Sequence, residues 1–186
     1  MSPVSYHRGF WNTVLTGWVD STAFWVLFFA GWIWHSIYQL TGFNDVIGLV
    51  APVNESVWEH LKLGYGATLV LMIRDAWRDL RRHESSSILG RSLGIIAMNV
   101  FIVTGYYSYT LILQHIVDIG SMMVVVDIML YGVASWIAVL LHDAVQKRTP
   151  SSTREYVGIA ILIIITVVFA YFTIHVPDLA IFRSDI

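Results

Sequence analysis

Long apolar stretches alternate with short polar breaks along most of this chain. Five of the stretches approach or exceed the roughly 20 residues that an α-helix needs to cross a bilayer. They are residues 19–40, 56–74, 89–113, 122–141 and 156–174. The pattern predicts an all-α protein, a polytopic membrane bundle of five transmembrane helices that forms a single membrane domain over residues 1–186. Residues 1–18 mix aromatic and basic side chains, which fits either an interfacial helix or a disordered tail.

The Lys and Arg residues predict how the bundle is oriented. Of the eleven, nine lie in the N-terminal tail or close to the second-to-third and fourth-to-fifth connections. Lys62 and Arg183 are the exceptions on the opposite side. Because cytoplasmic connections of membrane proteins are enriched in basic residues, this alternation predicts the N-terminus inside and the C-terminus outside, in a multi-pass protein of the cell membrane.

The composition supports a membrane protein and excludes several kinds of site. The chain is 56% hydrophobic and only 13% charged, whereas a soluble domain has about a quarter charged residues. It has no cysteine, so disulfides, thiolate metal ligands and cysteine nucleophiles are excluded. A net charge of -2 gives no reason to expect a nucleic-acid partner. The expected partners are the lipid bilayer and other membrane-protein subunits.

The segment Pro52–Lys62, with the sequence PVNESVWEHLK, concentrates polar chemistry at the start of the second apolar stretch. It contains two carboxylates, an imidazole, an amine, an amide and a hydroxyl. Charged groups that enter a bilayer segment are energetically unfavourable and therefore indicate a functional site. The alternative is structural: Ser56 and Glu59 match a capping box, and Glu59 can pair with Lys62 at i, i+3.

With the predicted orientation, imidazoles and carboxylates from all five helices lie at the outer face. Such groups bind zinc and other divalent metals, and they also form proton relays and acid–base pairs. The candidate catalytic residues are Glu55, Glu59 and His60. The candidate ligands for a divalent metal such as zinc are His35, Glu59, His115 and His175. Adjacent residues point about 100° apart on a helix, so Glu59 and His60 are not expected to bind one ion together.

Three further polar residues complete the predicted site. Asn54 and Lys62 belong to the Pro52–Lys62 segment, whereas Asp127 is the one acid well inside an apolar stretch, the fourth. An acid within the membrane usually faces the interior of the bundle. We therefore expect Asp127 to serve in a relay or an ion path, or to accept a buried hydrogen bond.

The Pro52–Lys62 segment resembles the signature of a family of small bacterial and archaeal integral membrane proteins of unknown function. In that family a first span containing His-x-x-Tyr precedes the signature, and His35 and Tyr38 match it here. The tail His175–Phe182 is similar to the family's closing Pro, Leu and Phe pattern. The resemblance implies a membrane location and marks His35, Asn54, Glu55, Glu59 and His60, but it implies no activity.

The sequence leaves three functions open. The first is a metal-dependent enzyme that acts on a lipid or lipid-linked substrate at the outer leaflet, where a metal ion would activate water. The second is a non-catalytic subunit of a membrane complex. The third is a proton or ion transporter in which Asp127 is an internal station.

Overall fold

The computed structural model describes residues 21–82, 86–113, 123–147 and 151–184. Within these ranges the chain is all-helical, with six α-helices, a short 3-10 turn and no strand, which confirms the predicted all-α class. The helices are α1 (Ser21–Leu40), α2 (Asp45–Gly48), α3 (Val57–Arg82), α4 (Ile88–Leu113), α5 (Met123–Gln146) and α6 (Ser152–Ile174), and the turn is Ala180–Phe182. The predicted interfacial segment 1–18 lies outside the described residues.

Three of these helices are long and apolar enough to cross a membrane. They comprise Ile88–Ile112, Met123–Gln146 and Ser152–Ile174. The other two predicted spans correspond to α1, which has 20 residues, and α3, which has 26 residues and carries charged side chains at both ends. Length and composition therefore support a membrane protein, and the five-span arrangement stays a prediction.

Four helices form a closed ring, and α6 packs outside it. Helix α1 contacts α3 and α5, and α4 contacts α3, α5 and α6. The buried core is apolar and includes Leu27, Leu61, Leu71, Ile95, Met98 and Val139 of the ring helices and Phe169 of α6. Close approach of α1 to α3 depends on Gly66, because a Cβ there would lie 2.1 Å from the Trp34 indole. This approach brings the last turns of α1 next to the first turn of α3.

The connection between α1 and α3 is a compact segment that contains α2. Gly42 and Phe43 adopt left-handed backbone angles, with φ of 70° and 61°, and turn the chain back after α1. The Asn44 side chain then accepts the backbone N–H groups of Val46 and Ile47 and caps α2. The segment from Pro52 onward, which carries the predicted site, is thereby folded against the start of α3.

Candidate functional site

The start of α3 is built by side chains of the Pro52–Lys62 segment. Ser56 Oγ accepts the Glu59 N–H at 3.3 Å, and Asn54 Oδ1 accepts the Ser56 N–H at 2.9 Å. In a capping box the glutamate would reach back to Ser56, but here the Glu59 carboxylate accepts the Val53 N–H at 3.0 Å. Asn54 thus accepts the Ser56 N–H that the glutamate of a capping box would accept, and Glu55 lies before the start of the helix.

Glu59 and Lys62 form a buried ion pair. Their side chains are 4% and 0% exposed, and Lys62 Nζ lies 2.6 Å from Glu59 Oε2. The ammonium group also donates to Thr173 Oγ1 at 2.6 Å and to the Gly48 carbonyl oxygen at 3.0 Å. The pair therefore joins α3 to α6 and to the α1–α3 connection, with its charges satisfied by several hydrogen bonds.

His35, Glu55 and His60 meet beside this pair, and we call them the His/Glu cluster. Within the described ranges they form the one set of three or more His and acidic residues whose potential ligand atoms all lie within 4.8 Å of one another. Glu55 Oε2 is 3.5 Å from His35 Nε2 and 3.4 Å from His60 Nε2. The two imidazole rings lie 5.3 Å apart, centroid to centroid.

The backbone fixes which nitrogen of His60 is available. Its Nδ1 lies 2.9 Å from the Ser56 carbonyl oxygen, which can only accept, so Nδ1 carries a hydrogen. In the neutral imidazole the lone pair is then on Nε2, which faces Glu55 Oε2. Two electron-rich atoms at 3.4 Å repel each other unless a proton or a metal cation lies between them.

Two of the three ligand spacings in the His/Glu cluster fit a metal ion. In a tetrahedral zinc site with bonds of about 2.0–2.1 Å, two ligand atoms lie roughly 3.3–3.5 Å apart. Both distances to Glu55 have this value. Metal-binding histidines usually donate their other ring N–H to a carbonyl or carboxylate, as His60 does to Ser56. The side chains are also partly open to solvent, at 37%, 67% and 33% exposure for His35, Glu55 and His60.

The structure distributes the predicted metal ligands over different places. His35 is in the His/Glu cluster, whereas Glu59 belongs to the pair with Lys62. His175 caps the end of α6, where its ring is exposed and stacks on Tyr171 with 4.7 Å between centroids. His115 lies outside the described residues. Glu55 and His60, predicted as catalytic residues, lie beside His35 in the His/Glu cluster.

Asp127 has a different environment from the one expected of an acid within the membrane. It lies on an exposed face of α5 and accepts the hydroxyl hydrogen of Tyr109 from α4. Thr104 and Ser108 of α4 are exposed as well. The buried Tyr131, one turn further along α5, donates to the Leu27 carbonyl oxygen of α1 at 3.0 Å. Asp127 therefore faces outward from the described helices, and its role as an internal station stays a prediction.

A second buried polar cluster, which sequence reasoning missed, lies at the other end of α3. Asp75 Oδ2 accepts Arg91 Nε at 2.9 Å, and Asp75 Oδ1 accepts Arg74 Nη2 at 2.8 Å. Burial alone would raise the pKa of the Asp75 carboxyl, but the Arg91 and Arg74 guanidinium groups lower it below its usual value. One acid among several arginines, Asp75 between Arg74 and Arg78, is the sequence signal that could have indicated this cluster.

Comparison with known proteins gives a family and no activity. No curated protein and no solved structure matches the chain. The model of a family described as a family of unknown function, DUF6512, matches residues 12–186, which is nearly the whole sequence. The resemblance to a family of unknown function is confirmed at this level, whereas the Pro52–Lys62 signature as its hallmark stays a prediction. The chain belongs to the DUF6512 family of unknown function.

Proposed function

We propose that this protein is a metal-dependent membrane enzyme whose His/Glu cluster holds a divalent metal ion, with zinc the best fit, and acts on a lipid or lipid-linked substrate. The observation that carries the proposal is the convergence of His35 Nε2 and His60 Nε2 on one Glu55 oxygen at the spacing of zinc ligands. The protein crosses the membrane five times, through α1, α3, α4, α5 and α6, with the His/Glu cluster at the outer face.

The number of ligands supports catalysis more than a structural role. Structural zinc sites are usually closed by four protein ligands, whereas catalytic sites use three and leave a position for water or substrate. Two histidines and one glutamate make such a set. A metal ion bound here would supply a water of lowered pKa and would polarise a carbonyl or phosphoryl oxygen.

The surroundings of the His/Glu cluster support a lipid substrate. The segment that turns from α1 into the site-bearing connection exposes apolar side chains, with Leu40 74%, Phe43 64% and Val46 72% accessible. Apolar side chains beside a polar, solvent-accessible site suit the boundary between headgroups and acyl chains. A substrate with an apolar tail could therefore rest on this rim while its polar group reaches the metal.

The residues around the cluster have supporting roles. Ser56 holds the His60 ring through its carbonyl oxygen, which keeps Nε2 available. Glu59 and Lys62 hold the connection that presents Glu55, because Glu59 accepts the Val53 N–H and Lys62 donates to the Gly48 carbonyl oxygen. Since Glu59 is occupied by these contacts, we assign it to positioning and not to proton transfer.

The proposal is tested with purified protein, zinc and vesicles made from a total lipid extract of the expressing cells, with products followed by mass spectrometry. We expect a zinc-dependent change in at least one lipid, reduced about 100-fold or more by Glu55→Gln. Asp178→Asn is the matched control, because Asp178 pairs with Arg183 at 2.6 Å and lies outside the His/Glu cluster. A protein that binds zinc and leaves every lipid unchanged would contradict the enzymatic assignment.

One observation favours a second candidate, a subunit of a membrane complex. Asp127 is exposed on a helix apolar enough to cross a membrane, and Tyr109 is the hydrogen-bond partner that the structure gives it. A carboxylate at the surface of a bilayer-embedded bundle is unfavourable unless a polar partner covers it. Purification in mild detergent tests this candidate: a partner that is retained by the wild type and lost in Asp127→Leu would support it.

A further inference from the structure

His142 of α5 is buried at the end of the bundle away from the His/Glu cluster. Only 3% of the residue is exposed. Its Nδ1 lies 3.2 Å from Asp143 Oδ1, and its Nε2 lies 3.1 Å from Ser86 Oγ. Ser86 Oγ in turn lies 3.0 Å from Asp75 Oδ2. A continuous chain of contacts thus connects Asp143, His142, Ser86 and Asp75.

The hydrogens in this series of side-chain contacts can be assigned one by one, starting from Asp75. Asp75 is held as a carboxylate by Arg74 and Arg91, so it can only accept. The single hydroxyl hydrogen of Ser86 therefore points to Asp75, and Ser86 Oγ is an acceptor toward His142. His142 Nε2 must then carry a hydrogen to make its contact with Ser86.

The contact between His142 Nδ1 and Asp143 Oδ1 requires a second hydrogen. If Asp143 is ionised, it accepts from Nδ1, and His142 with hydrogens on both nitrogens is an imidazolium. If His142 is neutral, the hydrogen between Nδ1 and Asp143 belongs to the carboxyl group. Either way, the His142–Asp143 pair holds one hydrogen more than a neutral imidazole beside a carboxylate would, and without that hydrogen one contact places two lone pairs opposite each other.

We propose that His142 and Asp143, linked through Ser86 to Asp75, form a buried proton-binding site that joins the ends of α3, α4 and α5. Binding of the proton completes the contacts across three helices. Loss of the proton breaks one of them, and Asp143, whose side chain is 31% exposed, is the member with access to water.

Within the described ranges, charged groups from three helices contact one another around this site. Helix α3 contributes Arg74 and Asp75, α4 contributes Arg91, and α5 contributes Asp143. Glu155 of α6 is engaged by the Ser87 hydroxyl at 3.1 Å and the Ile88 N–H at 2.6 Å. None of these contacts supplies His142 with a different hydrogen-bond partner.

Two features distinguish this arrangement from a serine nucleophile with its base. The order Ser86, His142, Asp143 is similar to a Ser-His-Asp triad, but the Ser86 hydrogen is directed to Asp75 and not to the imidazole. The ring is also confined, because a Cβ on Gly90 would lie 3.0 Å from His142 Cδ2. The geometry suits a proton held between helices better than attack on a substrate.

The test is the thermal unfolding of the full chain in detergent at pH 5.5 and pH 8.0, a range in which histidine side chains change charge. We expect the wild-type Tm to fall by about 5 °C between the two values, as a hydrogen bond involving a charged group is lost. Ser86→Ala and Asp143→Asn should each reduce this difference to less than about half, since each removes one contact that requires the proton.

Ser87→Ala is the matched control, because Ser87 lies next to Ser86 and bonds Glu155 instead of His142. It should retain the full wild-type difference between the two pH values. A purely structural role would lower the Tm of Ser86→Ala equally at both pH values. That result, or a wild-type Tm that does not change with pH, would overturn the proposal.

Discussion

At the residue scale, the chemistry of His60 depends on a backbone atom one turn earlier in the chain. The Ser56 carbonyl oxygen takes the Nδ1 hydrogen, so that Nε2 can bind a proton or a metal. Sequence spacing placed His60 at the correct end of its helix. Helical spacing cannot place Glu55 opposite His60, because Glu55 lies before the helix begins at Val57.

The buried pair of Glu59 and Lys62 gives a prediction about stability. Lys62→Met leaves the Glu59 carboxylate buried without its counter-ion, which typically destabilises a protein by about 3–5 kcal/mol. The double variant Glu59→Gln/Lys62→Met should recover a large part of that loss. Chemical denaturation followed by tryptophan fluorescence measures both values. If the double variant were as unstable as Lys62→Met or more so, the interpretation of the pair would be wrong.

Asp75 gives a prediction about acid stability. Its pKa is lowered in the folded protein, chiefly by Arg91 against the opposing effect of burial. Its contribution is therefore fully present above the pKa of an unfolded aspartate, about 3.9, and is lost as the pH falls through the lower folded value. Asp75→Asn should be less stable than wild type at pH 7, and the difference should shrink on acidification toward pH 3. A difference that stays constant over that range would contradict the assignment.

At the element scale, the long helices were predictable because each apolar stretch of the sequence is nearly as long as the helix that it forms. The expected boundaries 89–113 and 156–174 compare with Ile88–Leu113 and Ser152–Ile174 in the structure. Helix α5 extends to Gln146, past the predicted end at 141, because a helix can continue into polar sequence once it leaves the apolar layer. Helix α2 was missed, since its cap is a single Asn44 within a segment of loop-forming residues.

The contact between α1 and α3 can be tested with a pair of glycines. At Gly66 a Cβ would lie 2.1 Å from the Trp34 ring, whereas at Gly132 the nearest atom, on Phe28, would be at 3.5 Å. Gly66→Ala should destabilise the protein by about 1–3 kcal/mol through overpacking. Gly132→Ala should be neutral or stabilise it by up to about 1 kcal/mol through helix propensity. Equal stabilities of the two variants would show that α1 and α3 do not approach as described.

At the scale of the whole molecule, the sequence predicted which ends of α1 and α3 meet at the site better than it predicted which residues form the His/Glu cluster. Charge and hydropathy placed His35 and His60 at one end of their helices, and the structure brings these two together. The i, i+3 spacing predicted that Glu59 can pair with Lys62, and the structure contains this pair. It did not reveal that Thr173 of α6 and the Gly48 carbonyl oxygen surround the pair, because a helix face does not tell which neighbour covers it. The order of helices around the ring decides that, and it arises from contacts between residues far apart in the sequence.

The five-span topology is testable because the chain contains no cysteine. Single cysteines at Val46 and Lys147, both exposed, should be separated by the membrane. A membrane-impermeant maleimide added outside intact cells should label Val46→Cys, whereas Lys147→Cys should react only after the membrane is permeabilised. Labelling of both from outside would contradict the proposed arrangement.

The most direct test of the central claim is elemental analysis of the purified, folded protein after incubation with zinc and removal of the excess. The account predicts about one zinc ion per chain in the wild type and in His175→Gln, whose histidine lies outside the His/Glu cluster. Glu55→Gln and His60→Gln should lose most of it. Absence of zinc from the wild type, or full retention in both cluster variants, would contradict a metal site formed by His35, Glu55 and His60.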